Sequence, residues 1–503
     1  MIDPEPLVFK HPLFTKIAAL AVVTALLLIG LGLIADVVHD RQRYRADAAR
    51  SVAQSLAGPQ TLLGPMLHSA CVESWEVASG QGADRRVEEQ RREFRLTAMP
   101  ARLQMQTAAL MQERARGLHK VNAFNLKAQV TAQWASLAAL VPQGTVKGSR
   151  LQCGAPILML AVADARGIRM ARAQVLGLSQ DLALKPGTFH PVFTRGLHAM
   201  LPEALRGQAD PLEVSVDLEL LGTEQLSIVP LGDTTDVQMQ SAWPHPSFAG
   251  RFLPAERDLQ ADGFTARWRL SSLATTAQQD VAQGRRLCLA DTDGSAIEGE
   301  VESASGAGDG RRGGCTDSFS VAFVDPVNPY SLSDRATKYG VLFIALTFVA
   351  VGLFELMGRG PQQAASATPG RAAAGRVRVH PVQYLLVGAA LCSFFLLLVS
   401  LSEHLSFGLS YAVAAGACVL LLGYYASHML GSARRGLPFA AGIAVLYGLL
   451  YVLLQLEQTA LVVGSIALFL VLGAVMVLTR RVDWYGMGRS GGADAAPAPQ
   501  GAA

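Results

Sequence analysis

The chain has 503 residues, 50% of them hydrophobic and only 17% charged, against roughly 25% charged in a typical soluble protein. The shortfall is local: residues 339–503 hold 14 Asp, Glu, Lys and Arg, while the first 338 are close to soluble composition. This division excludes a purely cytosolic enzyme, a disordered chain and a small disulfide scaffold, and a net charge of +3 without a long basic run argues against nucleic acid as a partner.

The first element is an uncharged run at 17–35, preceded by Lys10, His11 and Lys16. It exceeds the ~7–15 apolar residues of a signal-peptide core and no small-x-small site follows promptly, so it reads as an uncleaved membrane anchor after a cytoplasmic segment 1–16. Few helix breakers follow until Gly58-Pro59, which predicts that the helix continues to about Ala57, because proline cannot donate the next helical bond. Residues 36–338 then form one exported stretch dominated by strand signals. Val214, Val216, Leu218 and Leu220 alternate with polar neighbours, as do Phe264, Ala266, Trp268 and Leu270, which puts one face in a core and one in water. Shorter strands are expected at 94–98, 122–130, 157–163, 226–231 and 319–324. Many short strands without regular helices between them predict antiparallel sheets packed face to face, in one sandwich-like lobe or two.

Four cysteines, Cys71, Cys153, Cys288 and Cys315, fall in this exported stretch, where oxidation is permitted. They allow three pairings. Cys288 with Cys315 is the favoured one, because the two bracket a Gly/Ser/Ala-rich loop at 293–314 that a bridge would clamp; Cys71 with Cys153 ranks below it. Cys392 and Cys418 lie in apolar segments and read as small packing residues.

Five further segments can cross a hydrocarbon core, which takes ~20 helical residues. They are 339–357, 382–402, 405–427, 436–456 and 458–479, making six transmembrane helices in all. Small residues at Gly408, Ala412, Ala415 and Gly416 predict close packing of the fourth helix. The loop at 358–381 carries Arg359, Arg371, Arg376 and Arg378 and no acid, a second loop carries Arg434 and Arg435, and the tail at 480–503 opens on Arg480 and Arg481. By the positive-inside rule these face the cytoplasm with both termini, and the β-rich stretch is periplasmic in a bacterial inner membrane. Arg41, Arg43, Arg45 and Arg50 run against the rule, but a long translocated domain crosses regardless of such charges.

No G-x-S-x-G, H-E-x-x-H or P-loop pattern is present, no C-x-x-C points to zinc or redox work, and no cofactor is called for. The polar residues that stand out are therefore weighed as structural or interface groups. Glu403 and His404 end the third membrane segment on its outer side; capping or loop contacts are the first reading and proton transfer the second. Glu355, near the inner end of the second segment, reads as snorkelling to the headgroups. Asp164 and Arg166 lie in Asp164-Ala165-Arg166-Gly167-Ile168, where an Asp–Arg pair fixes a turn or binds a ligand. Asp334 and Arg335, with Lys338, sit where the β-rich stretch feeds the second segment and can lock it at the membrane face.

Many of these residues together resemble the CreD family of bacterial inner-membrane proteins, from about Pro12 to Tyr485. The resemblance is carried by Gly58-Pro59-Gln60 with Gly64-Pro65, Arg116-Gly117, Asp164 to Ile168, Trp243-Pro244-His245-Pro246-Ser247-Phe248 with Phe252-Leu253-Pro254, and Asp334 to Tyr339. It continues through His380-Pro381 with Gln383, Leu401-Ser402-Glu403-His404 and Asp483-Trp484-Tyr485. The Gly-rich insert and the cysteines around it depart from the family pattern. The resemblance implies a place in the CreBC two-component regulon and a role in envelope integrity, with effects on β-lactam response and colicin tolerance. It implies no catalytic residues. The sequence thus supports first a non-enzymatic membrane protein in the lipid bilayer whose exported domain binds an envelope protein, or a wall or lipid component. A transporter or lipid-handling protein and a membrane-bound enzyme of unrecognised type are the alternatives.

Overall fold

The computed structural model describes residues 12–79, 86–176, 181–287, 315–323, 325, 329–357, 379–429, 433–456 and 459–480. The chain divides into two units, one formed by Met1–Arg43 with Val327–Ala503 and the other by Tyr44–Pro326. The Gly/Ser/Ala-rich loop at 293–314, residues 358–378 of the arginine-bearing loop and the C-terminal tail lie outside the described residues.

The first unit is helical. Its elements are α1 (Pro12–Ser55), whose last turns belong to the second unit, then α3 (Pro329–Lys338), α4 (Gly340–Met357), α5 (Pro381–Ser402), α6 (Phe407–Met429), α7 (Ala433–Gln455) and α8 (Ala460–Thr479), while the short α2 (Ala277–Ala282) lies in the second unit. Among the described residues four helices are long and apolar enough to cross a membrane, and five if α3 and α4, bent by 45° at their junction, are one span. The six segments expected to span all fall in helices, with α8 represented by the shorter apolar stretch Val462–Val477. The amphipathic α3 belongs to this unit, with Tyr330, Leu332, Ser333, Ala336 and Thr337 buried, although its sequence lies at the tail of the β-rich stretch. The start of α5 is set by His380-Pro381-x-Gln383. The His380 ring accepts from the Val382 N–H at 3.3 Å, the Gln383 side chain accepts from the His380 N–H at 2.8 Å, and Pro381 takes the first-turn position that needs no donor.

Lipid tails are as apolar as leucine, so close packing rather than burial holds such a bundle together. Val23, Leu27, Leu31 and Ile34, spaced along one face of α1, pack in a cluster with Phe343, Leu391, Phe394, Phe395, Tyr411 and Tyr447. Gly388 receives Leu27 and Gly340 receives Leu31: a Cβ would stand 2.1 Å and 2.8 Å from those side chains. The expected small-residue contact on α6 is met in part: Ala415 lies in the cluster and a Cβ on Gly408 would stand 3.2 Å from the Tyr451 hydroxyl. Gly416 has no neighbour within 4 Å of a Cβ and Ala412 is exposed, while Ala414, Ala415 and Cys418 face the cluster. Cys392 and Cys418 are free and buried, as expected of packing residues.

Among the described residues the second unit is a β domain of two sheets, one with nine strands and one with eight. The nine-stranded sheet is built on the 20-residue strand Gln60–Ser79, which pairs with Gln225–Ile228, Arg86–Ala98, Arg150–Cys153 and Ile157–Val162. The eight-stranded sheet runs in the order Glu256–Gln260, Gly263–Ser271, Thr234–Ser241, Arg102–Arg116, His119–Trp134, Leu212–Thr223, Ile168–Val175, Asp181–Leu182. Leu62, Met66, Leu158 and Phe319 from the first sheet and Leu103, Met105, Val130, Val216 and Trp268 from the second lie in one continuous core, so the domain is one lobe. Trp134 and Trp268 are almost wholly buried, and each indole N–H is satisfied, by the carbonyls of Ala98 at 2.9 Å and Phe252 at 3.2 Å.

A disulfide joins Cys71 to Cys153, the pairing ranked second from sequence. The two residues are direct partners in the antiparallel ladder between their strands. Cys288 lies outside the described residues, and with it the expected bridge to Cys315.

Candidate functional site

The turn Asp164-Ala165-Arg166-Gly167 follows the buried strand Ile157–Val162 and closes on the strand entrance at Gly58-Pro59-Gln60. The Asp164 carboxylate accepts from the backbone N–H groups of Arg166 at 3.1 Å and Gly58 at 3.2 Å, and pairs with the Arg166 guanidinium at 2.6 Å. The Gln60 side chain bridges the same place: its carbonyl accepts from the Asp164 N–H at 3.2 Å, and its amide donates to the carbonyls of Asp164 at 3.0 Å and Leu221 at 2.8 Å. Arg166 also donates to the carbonyls of Ala53 and Gln54 in the last turn of α1, where unpaired carbonyls and the helix dipole favour a cation. Burial works against the Asp164 charge, but the Arg166 guanidinium and the Gly58 N–H outweigh it and hold the carboxyl below its ordinary range. Asp164 and Arg166 thus form a clamp that ties the end of α1 to both sheets, with their bonds to protein groups rather than to an open cleft.

In the helical unit the remaining sequence-selected residues lie within α3 and α4 and at the end of α5. Glu403 caps α5 and pairs with Arg41 of α1 at 3.1 Å. Asp334 lies 2.7 Å from Lys338, one turn on in α3, and 3.6 Å from the His39 ring of α1. Of the α1 arginines that break the positive-inside pattern, Arg41 is thus the partner of Glu403, while Arg43 and Arg50 pair within α1 with Asp40 and Asp47. Arg335 is half-buried in α3 and His404 is exposed beyond α5. Glu355 belongs to α4, but its side chain lies outside the described residues.

A polar row across the eight-stranded sheet was not visible along the sequence. The register puts Arg267, Gln238, Gln106, Gln129, Asp217 and Arg172 side by side on six neighbouring strands. All project from the face opposite the core, and the middle of the row lines an open trough of about 560 Å³. Period-two alternation foretells a polar outer face on each strand, yet the row exists only once the strands are paired. A second feature was also missed. Glu73, fully buried, accepts from the N–H groups of Thr145 at 2.8 Å and Val146 at 3.1 Å and from the hydroxyls of Thr145 at 2.8 Å and Ser149 at 2.7 Å, with Arg92 at 3.0 Å. Led by the Ser149 hydrogen bond, these donors lower its pKa to about 2. Among the described residues no three His, Cys, Asp or Glu converge as a metal site requires.

The family model described as Inner membrane protein CreD matches residues 12–485. The chain belongs to the CreD family. The Inner membrane protein CreD of Escherichia coli (strain K12) is 32% identical over 477 residues, which cover 95% of this chain and 94% of that protein. The match takes in both the helices and the β domain, so with its apolar helices the chain is an inner-membrane protein of the CreD family. Two of the stretches that carry the CreD resemblance, Gly58-Pro59-Gln60 and Asp164 to Ile168, meet in the clamp although 104 residues separate Gln60 from Asp164. Two others, Asp334 to Tyr339 and Leu401 to His404, supply the acids that pair with α1.

Proposed function

We propose that this CreD-family protein is a non-enzymatic, six-span inner-membrane protein with both termini in the cytoplasm, whose periplasmic β domain binds an envelope partner and so supports envelope integrity. The topology rests on the arginine-bearing loops at 358–381 and 430–435 against the arginine-free loops around Glu403 and Glu457. Partner binding rests on one observation above the rest, the trough on the eight-stranded sheet. Its row of amide side chains between Arg267, Asp217 and Arg172 carries little net charge and many donors and acceptors, which suits a polar envelope protein or a wall or lipid component. The polar residues singled out in the sequence contribute architecture: Asp164 and Arg166 brace the β domain, and Asp334 and Glu403 brace the helices.

The test is in-cell photo-crosslinking from Gln106 or Gln129, with Met200 on the other sheet as the control position. Capture of a specific envelope species from the trough and not from Met200 is the expected result. Identical captures from both, or none from the trough, with a normal envelope in a deletion strain, contradict the proposal.

A further inference from the structure

Three buried histidines gather on one side of the nine-stranded sheet, and sequence spacing does not announce them. His68 lies on the central strand, His198 on Gly196–Met200, and His190 in residues 187–195, the loop that leads into that strand. The loop is held by the imidazoles. His68 Nε2 lies 2.9 Å from the Thr188 carbonyl and His198 Nδ1 lies 2.8 Å from the Gly187 carbonyl; a carbonyl only accepts, so both nitrogens carry a hydrogen. His190 Nδ1 accepts from the N–H groups of Val192 and Phe193, each at 3.3 Å, so that nitrogen carries none. The His190 ring stacks on Phe193 with centroids 4.8 Å apart.

Protonation breaks this arrangement. A proton on His190 Nδ1 faces two donors. A proton on His68 goes to Nδ1, which is buried without a partner. Both changes add charge beside a cation: the charges acting on His68 are Arg95 and His198, and those acting on His190 are Arg95 and His68. Arg95 reaches the cluster from Arg86–Ala98, and its buried Nε is unpartnered too. Lys185 lies opposite His198 in register, and Arg195 closes the loop end on the Ala163 carbonyl at 3.1 Å. Phe189 is held at φ 56° with its ring 4.5 Å from that of His198 and 62% of its surface exposed. That backbone conformation is costly for a residue with a Cβ and persists only while the loop is packed.

We propose that residues 187–195 form a proton-operated cover, closed over the sheet while His68 and His190 are neutral and opened when they become charged. Burial, with Arg95, lowers the His190 pKa from 6.5 to about 4 and holds His68 below its ordinary value. The sign follows: both values fall on closing, so the closed state is fully favoured above pH ~6.5 and weakens as pH drops toward ~4. His190 alone raises the opening equilibrium roughly 30-fold between pH 7.5 and pH 5. The cover does not depend on which side of the membrane the domain lies.

Hydrogen exchange on the full-length protein in nanodiscs at pH 7.5 and 5.0, corrected for intrinsic rates, tests this. Amides of Val192 and Phe193 lose protection roughly 30-fold or more at pH 5.0, while Leu212–Thr223 stays protected. His190→Asn, which keeps an acceptor that cannot be charged, flattens that dependence; if it fails to fold, His68→Gln, whose amide keeps a donor for the Thr188 carbonyl and cannot be charged, is the second variant, and the wild-type profile decides alone. Equal loop protection at both pH values, or loss in step with Leu212–Thr223, overturns the proposal.

Discussion

Gly167 has no room for a methyl group: a Cβ there would stand 2.2 Å from the Leu221 carbonyl and 2.6 Å from the Gln60 amide. Gly167→Ala must push the clamp off the sheet and is expected to destabilise the β domain by about 1–3 kcal/mol, read as a lowered thermal midpoint. An unchanged midpoint would show that the turn yields freely. Glu73 supplies a pH signature. Its pKa is lowered to about 2 in the folded protein, so its contribution is complete above the ordinary carboxylate range near pH 4.5 and is lost as pH falls through about 2. Midpoints measured from pH 5 to 2.5 should therefore fall more steeply for the wild type than for Glu73→Gln. Parallel curves would remove Glu73 from the account.

Elements are joined here by ties that span long stretches of chain. The Cys71–Cys153 bridge closes a separation of 82 residues, for which loop entropy gives roughly 4–5 kcal/mol; because the strands already pair in register, Cys71→Ser with Cys153→Ser is expected to lose most of that and remain folded. Denaturant unfolding with and without reductant measures it, and no difference would mean the bridge is absent in the purified protein. In the helical unit, Arg41→Ala and Glu403→Ala should each destabilise and show a coupling of about 0.5–1 kcal/mol in a double-mutant cycle. The apolar helices and the alternating strands Leu212–Thr223 and Gly263–Ser271 were legible because one period governs each. The strand Gln60–Ser79 was not, because residues 60–69 are buried whichever way they point, which erases alternation. The Asp164–Arg166 turn was legible as a local pair, but Gln60 and the end of α1 reach it only through the fold. Cys71 and Cys153 were ranked low for the same reason: their proximity is a matter of strand register, whereas Cys288 and Cys315 bracket a loop that can be seen in the chain.

At the scale of the whole molecule, the account comes down to sidedness. A 44-residue α1 leads from the helical unit into a β domain inserted before α3 and α4, and arginines collect in alternate loops among the helices that follow. If the β domain is exported, its disulfide is expected, its polar trough faces envelope components, and the acids Asp334 and Glu403 with their α1 partners mark the outer ends of the helices. If it is not, all three readings fail together. Alkaline phosphatase fusions settle the point: the enzyme joined near residue 200 should be active and joined near residue 370 inactive, whereas inactivity at 200 or activity at 370 would contradict the account.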